Sequence, residues 1–316
     1  YDSGNSLAYA NGNYIISGHI TPGGSLSGDD YDGFILKTDS LGNEIWRKVL
    51  GGERYDVIKS IKVTTENEYI LVGTSESSGN GNQDVWIIKL DISGNILWDK
   101  YYDWGMNEIG HSIQELSNNN FIIVGSSVPF SGSDSNVRVF KIDSNGNEVW
   151  SYQYGGYDEE FGYSIISTSD GGYAIAGSTK SYVVENEFWS DLFFLKIDEN
   201  GLEEWFKNFG TQVDDKGNTV FQGSDGSFYI GGQSGGNGTD YNYYVVKTDA
   251  NGSEIWSKIF NIAWGIGSGH DYVAKILPLN DDIIIMGKVD SFANSGSEIG
   301  ILKIDYNGNI LLEKKI

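Results

Sequence analysis

Cysteine is absent from the chain, and histidine, methionine and proline are scarce. Without cysteine, the protein has no disulfides, no thiolate ligands for a metal and no cysteine nucleophile. The three histidines are scattered, so the sequence shows neither a nucleophile–histidine pair nor a histidine-rich metal site. With 3 prolines against 43 glycines, the composition favours many short strands joined by tight turns.

Basic residues are the minority of the charged residues. The chain has 21 lysines and arginines against 44 aspartates and glutamates, which gives a net charge of −23. A phosphate backbone or an anionic membrane surface would be repelled, which excludes a general affinity for nucleic acid. A run of about 18 apolar residues is also missing, so we expect no membrane insertion within this segment. The chain begins without methionine or a signal peptide, and we expect a mature or excised piece of a longer protein.

One phrase, K-x-D-x-x-G-x-x-x-W, recurs along the chain. Its lysines are spaced by 52, 52, 55, 51 and 56 residues, at Lys37, Lys89, Lys141, Lys196, Lys247 and Lys303. The phrase closes on Trp46, Trp98, Trp150, Trp205 and Trp256, and on Leu312 in the sixth copy. Six repeats of about 52 residues fill the chain, which predicts a single domain over residues 1–316.

Each repeat contains four apolar runs of strand length. In the fourth copy these are YSIIST, YAIAGS, LFFLKID and EEWFKNF, separated by the turn signals DGG and DENG and by one longer polar loop. This pattern predicts an all-β fold, a six-bladed β-propeller of four-stranded antiparallel blades with strands A to D in each blade. A right-handed β-helix is the alternative, but its coils are shorter and lack a hairpin turn at every step.

The stretch GGYDEEFGYSIISTSDGGYAIAG, residues 155–177, resembles a repeat family of secreted and surface proteins of bacteria and archaea. The phrase of that family runs GG, an acid, S-I-x-x-T-x-DGGY-I-x-x-G and then K-x-D-x-x-G-N-x-x-W. The phrase is also similar, more distantly, to the tryptophan-docking repeat of quinoprotein dehydrogenases. The resemblance covers the whole chain, and it implies the propeller fold and an extracellular or cell-surface location.

The repeated lysine lies between apolar residues, so a packed strand would bury its ammonium group, which then needs an anionic partner. A second repeated acid near the start of strand A is the candidate partner: Asp2, Asp56, Glu108, Glu160, Asp215 and Asp271. Two interpretations stay open. The acids together form a cation or polyol site, or each makes a local pair with a lysine or with a turn.

Calcium is the one cofactor that the sequence leaves open. Besides the six acids, three polar loops alternate Asp and Asn as calcium loops do: GDDYDG (28–33), NGNQD (80–84) and SDSN (133–136). None has the spacing of an EF-hand, and such loops are also ordinary turn material. We therefore expect no cofactor, with calcium as the alternative.

Function in a repeat protein concentrates where the copies differ. The junction between strand D and the next strand A reads GG or GT in three copies, but Trp104 and Trp264 interrupt two others. His111 and His270 lie just beyond them, and the longest loop between strands B and C carries Tyr182, Phe188 and Trp189. The histidines and the tryptophans are candidate ligand-binding residues. The alternative is that the tryptophans pack within the protein.

No catalytic constellation is recognisable in the sequence. The Asp-x-x-Gly turn differs in spacing from the Asp boxes of sialidases, and no arginine cluster is present to hold a carboxylate. We expect a non-catalytic extracellular binding or scaffold module, active in adhesion, surface-layer or cell-envelope assembly, with a protein or glycan partner at the cell surface. The alternative is a glycan-binding or glycan-cleaving propeller that uses the face with Trp104 and Trp264.

Overall fold

In the part of the chain that the structure describes, twenty-four β strands account for the regular structure. The computed structural model describes residues 2–21, 30–78, 82–130, 134–183, 189–236, 240–262, 271–279, 282–291 and 296–316. Within those ranges, no helix exists that is long and apolar enough to cross a bilayer. Every four consecutive strands form one antiparallel sheet. The six sheets are the blades of a six-bladed β-propeller, which confirms the predicted fold class.

The chain divides into two compact units, residues 1–154 and residues 155–316. The first unit contains blades one to three: β1 (Ser3–Ala10), β2 (Asn13–Ile20), β3 (Asp32–Thr38), β4 (Glu44–Leu50), β5 (Asp56–Val63), β6 (Tyr69–Ser75), β7 (Asp84–Leu90), β8 (Ile96–Tyr102), β9 (Asn107–Glu115), β10 (Phe121–Val128), β11 (Asn136–Ile142) and β12 (Glu148–Tyr154). The second and third strands of these blades are the most buried, because both of their faces carry apolar side chains. The single domain over 1–316 stays a prediction.

The second unit contains blades four to six: β13 (Glu160–Ser167), β14 (Tyr173–Thr179), β15 (Asp191–Ile197), β16 (Glu203–Phe209), β17 (Asp214–Gln222), β18 (Phe228–Gly236), β19 (Asp240–Thr248), β20 (Glu254–Phe260), β21 (Tyr272–Leu279), β22 (Asp282–Ser291), β23 (Gly296–Asp305) and β24 (Ile310–Lys315). Apolar side chains from the facing sides of successive blades form its core, with Leu192 and Phe194 packed against Val220 and Ile230.

The Asp-x-x-Gly segment of the phrase forms the turn between strands C and D. In the first blade, Asp39 Oδ1 accepts hydrogen bonds from the backbone N–H groups of Leu41 and Asn43, both at 2.9 Å. Gly42 adopts a φ of 86°, a conformation that favours glycine. The same carboxylate bonds recur in the other five blades, so the aspartate stabilises this turn in every blade.

The tryptophan of the phrase packs between neighbouring blades. The Trp46 ring lies beside Tyr69 of the second blade, with 6.1 Å between ring centroids. In the second unit, the Trp205 ring meets Phe228 of the fifth blade edge to face. In both units the tryptophan of the phrase therefore joins successive blades.

The partner predicted for the repeated lysine is wrong where the lysine forms an ion pair. Lys89 pairs with Glu68 at 2.6 Å, and Lys303 pairs with Asp282 at 2.6 Å. Lys196 is 2% exposed and pairs with Asp170 at 3.0 Å and with Glu204 at 2.9 Å. These acids lie in the turn between strands A and B, at the start of strand B, or on strand D. None belongs to the repeated acids at the start of strand A.

Candidate functional site

The repeated acids lie at or near the first residue of strand A in their blades. Five are buried: Asp56, Glu108, Glu160, Asp215 and Asp271; Asp2 is exposed. The backbone N–H groups of four of them, Asp56, Glu108, Asp215 and Asp271, reach the preceding blade, as in the bonds from Asp56 to the Tyr31 carbonyl at 2.7 Å and from Asp215 to the Ser190 carbonyl at 2.6 Å. Each of these contacts ties two successive blades together at one point.

Three of the buried acids make a local pair with a turn. Asp56 Oδ2 accepts bonds from the Gly52 N–H at 2.7 Å and from the Ser77 hydroxyl at 2.6 Å. Glu160 accepts bonds from the Gly156 N–H, the Thr179 hydroxyl and the Ser181 N–H, and Asp215 accepts two from Thr211. This is the carboxylate–turn arrangement that the sequence analysis left open for these positions.

The third blade departs from this arrangement. Glu108 Oε1 accepts a bond from the Met106 N–H at 3.1 Å, and its buried Oε2 has no hydrogen-bond partner among the described residues, as is also true of one oxygen of Asp56 and of Asp215. Four residues after the glycine of strand B, where the second and fourth blades have Ser77 and Ser181, the third blade has Pro129. Proline offers neither a hydroxyl nor an N–H, so this carboxylate lacks donors that its counterparts use.

Two further carboxylates lie beside Glu108. Asp84 is the first residue of β7, and Asp103 follows β8 in the junction that leads to β9. One oxygen from each of Asp84, Asp103 and Glu108 lies within 4.8 Å of the other two. Asp84 is 2% exposed and Glu108 is 0% exposed, whereas Asp103 is open to solvent. We refer to these three residues as the acidic cluster.

The acidic cluster raises the pKa of its buried members. Burial raises the pKa of Asp84 to about 6, and the neighbouring Asp103 adds to the shift. Burial also raises the pKa of Glu108 to about 7, with additional repulsion from Asp103 and Asp84 partly offset by backbone hydrogen bonds. These groups are poorly stabilised as anions, because the protein supplies little positive charge to match them.

Arg138 is the cation that attracts Glu108, but its guanidinium is directed to other groups. It donates to the hydroxyls of Ser127 and Ser151, each at 3.1 Å, and lies over the Trp104 ring at 4.5 Å from the centroid. Burial lowers the pKa of Arg138 despite the attraction of Glu108. Among the described residues, no ion pair joins Arg138 to the acidic cluster.

Trp104 is half-buried rather than presented as an open platform. Its ring contacts Phe140 edge to face at 5.0 Å and stacks near Tyr102 at 6.1 Å, in addition to Arg138. Trp104 thus borders the core of the second and third blades. This packing is the alternative left open above, and a glycan contact by Trp104 stays a prediction.

The other candidate ligand-binding residues do not converge in the described structure. Burial and the nearby Lys59 lower the pKa of His111 to about 3, so its imidazole is neutral at physiological pH. Trp189 is half-buried, next to β15. Trp264, His270 and Phe188 lie outside the described residues. Tyr182 is exposed and its ring packs on Phe206 at 4.9 Å.

Of the loops that resemble calcium loops, the structure describes residues 30–33, 82–84 and 134–136. Asp84, at the end of the second of these loops, joins Glu108 in the acidic cluster. Sequence reasoning had singled out both residues separately. It missed Asp103, although the signal was present: this acid stands beside Trp104 in the junction where the repeat pattern breaks.

Sequence reasoning also missed a repeated exposed position on the outermost strand of the blades. The residue before the tryptophan position is apolar in five of the six blades and about half exposed in each. These outer-strand residues are Ile45 (51%), Leu97 (49%), Val149 (55%), Ile255 (54%) and Leu311 (52%). In the fourth blade the position is Glu204, which bonds to Lys196.

Comparison with known proteins agrees with the fold. No protein-family model matches the chain. The chain is similar to the regulatory protein FlaEY of Caulobacter vibrioides, with 25% identity over 250 residues, which are 71% of this chain and 26% of that protein. The chain therefore spans about a quarter of the length of this relative.

Similar solved structures belong to proteins of different activities. A variant of the apocarotenoid oxygenase of Synechocystis covers 99% of this chain, with 71% of its own length covered, a TM-score of 0.54 and 12% identity. A sialidase of Trypanosoma rangeli covers 95%, with 53% of its own length covered, a TM-score of 0.53 and 8% identity. An acylaminoacyl peptidase of Pyrococcus horikoshii covers 100%, with 46% of its own length covered, a TM-score of 0.51 and 9% identity. At these identities, the likeness shows the fold alone.

Proposed function

We propose that the protein is a non-catalytic binding module that acts outside the cell or at its surface, in adhesion, surface-layer or cell-envelope assembly. The observation that carries the proposal is the set of outer-strand residues. The outermost strands of five blades expose an aliphatic side chain at the same position, and each of these strands is the edge of its sheet. An edge strand has unpaired backbone groups as well as this apolar side chain.

A protein partner suits this surface better than a small molecule does. Edge strands accept another strand through backbone hydrogen bonds, and alternate side chains then decide specificity. Each half-exposed aliphatic side chain that a partner covers contributes on the order of 1 kcal/mol or less of hydrophobic free energy. Several equivalent positions together support specific binding. The net charge of −23 favours a partner whose contact surface is apolar with basic residues around it.

The repeated polar residues support a scaffold without chemistry. The aspartates of the phrase hold turns, and the acids of the second, fourth and fifth blades accept bonds from neighbouring turns. The lysines of the second, fourth and sixth blades form ion pairs. These groups have structural partners in place, so none of them is poised as a nucleophile or general base. The name of the similar FlaEY protein, a regulatory protein, is compatible with function through binding.

The proposal is tested by binding to envelope fractions from the organism that makes the protein. The test variant combines Ile45→Lys, Leu97→Lys and Val149→Lys, which adds three positive charges on the outer strands of the first unit. The matched control combines Glu53→Lys and Ser117→Lys, which adds the same charge at exposed sites away from those strands.

We expect saturable binding of the labelled wild type that unlabelled protein displaces. The test variant is expected to lose at least tenfold in affinity, and the control is expected to keep it. Absence of saturable binding, or equal binding by the test variant and the wild type, contradicts the proposal.

A further inference from the structure

Two buried carboxylates of the acidic cluster lack the hydrogen bonds that burial demands. Asp84 is 2% exposed, and no described residue donates a hydrogen bond to its carboxylate. Glu108 is 0% exposed, and its Oε2 has no partner among the same residues. Buried carboxylates are ordinarily paired with a cation, bonded to donors or bound to a metal. The first two arrangements are largely missing here.

At the equivalent position of the second blade, the fold supplies more donors to the carboxylate, although one oxygen of Asp56 has no partner among the described residues either. Asp56 receives a backbone N–H from Gly52 in the junction and a hydroxyl from Ser77. In the third blade, Pro129 has replaced the counterpart of Ser77, and the junction supplies a third carboxylate, Asp103. Both changes remove donors or add acceptors at one place, and a cation compensates for both.

The spacing of the three carboxylates suits one divalent ion. Calcium binds oxygen ligands at about 2.3–2.6 Å, so two ligands of the same ion can stand at most roughly 5 Å apart. The three oxygens lie within 4.8 Å of one another, which is inside this limit. Magnesium usually keeps several of its waters and binds through one or two carboxylates, whereas this cluster offers three. Zinc prefers sulfur and nitrogen ligands, and this set contains oxygen alone.

We propose that Asp84, Asp103 and Glu108 bind a divalent cation, with Ca²⁺ as the ion that fits best, between the second and third blades. Asp84 and Asp103 come from the second blade and its junction, and Glu108 comes from β9 of the third blade. The ion ties the two blades together at the junction where the repeat pattern breaks. This inference goes beyond the proposed partner binding and does not depend on it.

The first test is calorimetry on the full chain after removal of metals with a chelator. Titration of the wild type with CaCl₂ is expected to give heat for one site and to raise the melting temperature. Asp103→Asn changes an exposed ligand and leaves the core intact, and we expect at least a tenfold loss of affinity. The matched control is Asp32→Asn, at the first residue of β3, the position that corresponds to Asp84 in the first blade. The control is expected to bind Ca²⁺ as the wild type does.

A second measurement separates ion binding from a purely structural role of these acids. Without Ca²⁺, Asp103→Asn and Glu108→Gln are expected to melt at the same temperature as the wild type or higher, because each removes a repelling charge. With Ca²⁺, the wild type is expected to melt above both variants. Terbium luminescence excited through the indoles offers the same comparison by a different signal, since Trp104 follows Asp103 in the chain.

Three results overturn the proposal. The first is a wild type that gives neither heat nor a melting shift at millimolar Ca²⁺. The second is an Asp103→Asn variant that binds Ca²⁺ as tightly as the wild type. The third is a response to Mg²⁺ that equals the response to Ca²⁺ in both the wild type and Asp103→Asn, which would indicate general screening of the acidic surface. Loss of the ion site with envelope binding retained leaves the proposed function in place.

Discussion

The ring of Trp46 in the first blade lies against Gly94 in the turn between strands C and D of the second blade. A β-carbon placed on Gly94 would stand 3.1 Å from Cη2 of the indole. The same relation links Trp98 with Gly146 and Trp205 with Gly252. The tryptophan of one copy of the phrase thus packs against the glycine of the next copy.

This contact predicts different costs for two glycine substitutions with similar backbone geometry. Gly42 and Gly94 have φ angles of 86° and 80°, but a β-carbon on Gly42 would meet nothing within 4 Å. We expect Gly42→Ala to lower the free energy of unfolding by about 1 kcal/mol through backbone strain. Gly94→Ala is expected to lower the free energy of unfolding by about 1 kcal/mol more than Gly42→Ala does, because it also displaces Trp46. Urea unfolding of both variants measures the difference, and equal costs would contradict an interlocking role for Trp46.

The turn aspartates are expected to stabilise the fold in their ionised form. Hydrogen bonds from Asn147 hold the pKa of Asp143 below its usual value. The stabilisation is therefore present above the unfolded pKa of about 4 and is lost as the pH falls through the lower folded value. Asp143→Ala is expected to cost about 1 kcal/mol at pH 7 and less near pH 2, compared by urea unfolding at both values. Asp99→Ala on the exposed outer strand is the control, and a cost independent of pH would be evidence against this role.

The buried lysine of the fourth blade is expected to be replaceable by an apolar side chain. Lys196 is 2% exposed, but its partners Asp170 and Glu204 are 57% and 43% exposed and regain water if the ammonium is removed. Lys196→Met keeps the volume of the side chain, and we expect a change of less than about 1 kcal/mol. Lys196→Ala leaves a cavity and is expected to cost about 2 kcal/mol. Chemical denaturation of the two variants checks the order, and a larger loss for Met than for Ala would refute it.

We expect Asp215, the buried acid of the fifth blade, to make the protein less stable as the pH rises. The turn aspartates have the opposite effect. Burial raises the pKa of Asp215 from 3.8 to about 6, partly offset by bonds from Ser234 and Thr211. An acid whose folded pKa is raised contributes most below its unfolded pKa and loses that contribution as the pH rises through the folded value. The wild type is therefore expected to lose about 3 kcal/mol relative to Asp215→Asn between pH 4 and pH 7. Unfolding free energies of both proteins across this range give the difference, and a flat difference would show that Asp215 does not titrate there.

The fold could be predicted from the sequence because its determinants are local or strictly periodic. The Asp-x-x-Gly turn bonds within five residues, and the tryptophan repeats once in each blade. The lysine partners could not be predicted in the same way. Glu68, Asp170 and Asp282 stand at different places around the A–B turn, and any acid that reaches the ammonium satisfies it. The sequence therefore offers several acids as partners for each lysine and does not distinguish between them.

The acidic cluster was only partly visible in the sequence. Asp84 and Glu108 each belong to a pattern in the sequence, but their proximity depends on how strand β9 packs against the start of β7, as in the bond from the Glu108 N–H to the Gln83 carbonyl at 2.7 Å. Asp103 belongs to no repeated pattern, whereas Trp104 beside it is a visible break in the repeat. The position four residues after the glycine of strand B is a further signal, since the third blade has Pro129 where the second and fourth blades have a serine. The outer-strand residues escaped notice because a single exposed aliphatic residue is common.

The break in the repeat between the second and third blades brings Asp84, Asp103 and Glu108 together, and we assign the proposed ion site to these three residues. Anomalous diffraction from a crystal of the full chain soaked in terbium, a trivalent substitute for calcium, locates such a site directly. We expect an anomalous peak in contact with the carboxylates of all three residues, and its disappearance in Asp103→Asn. A peak at other acids with none at these three, or no peak in a crystal that shows the three carboxylates bonded to protein donors instead, would contradict it.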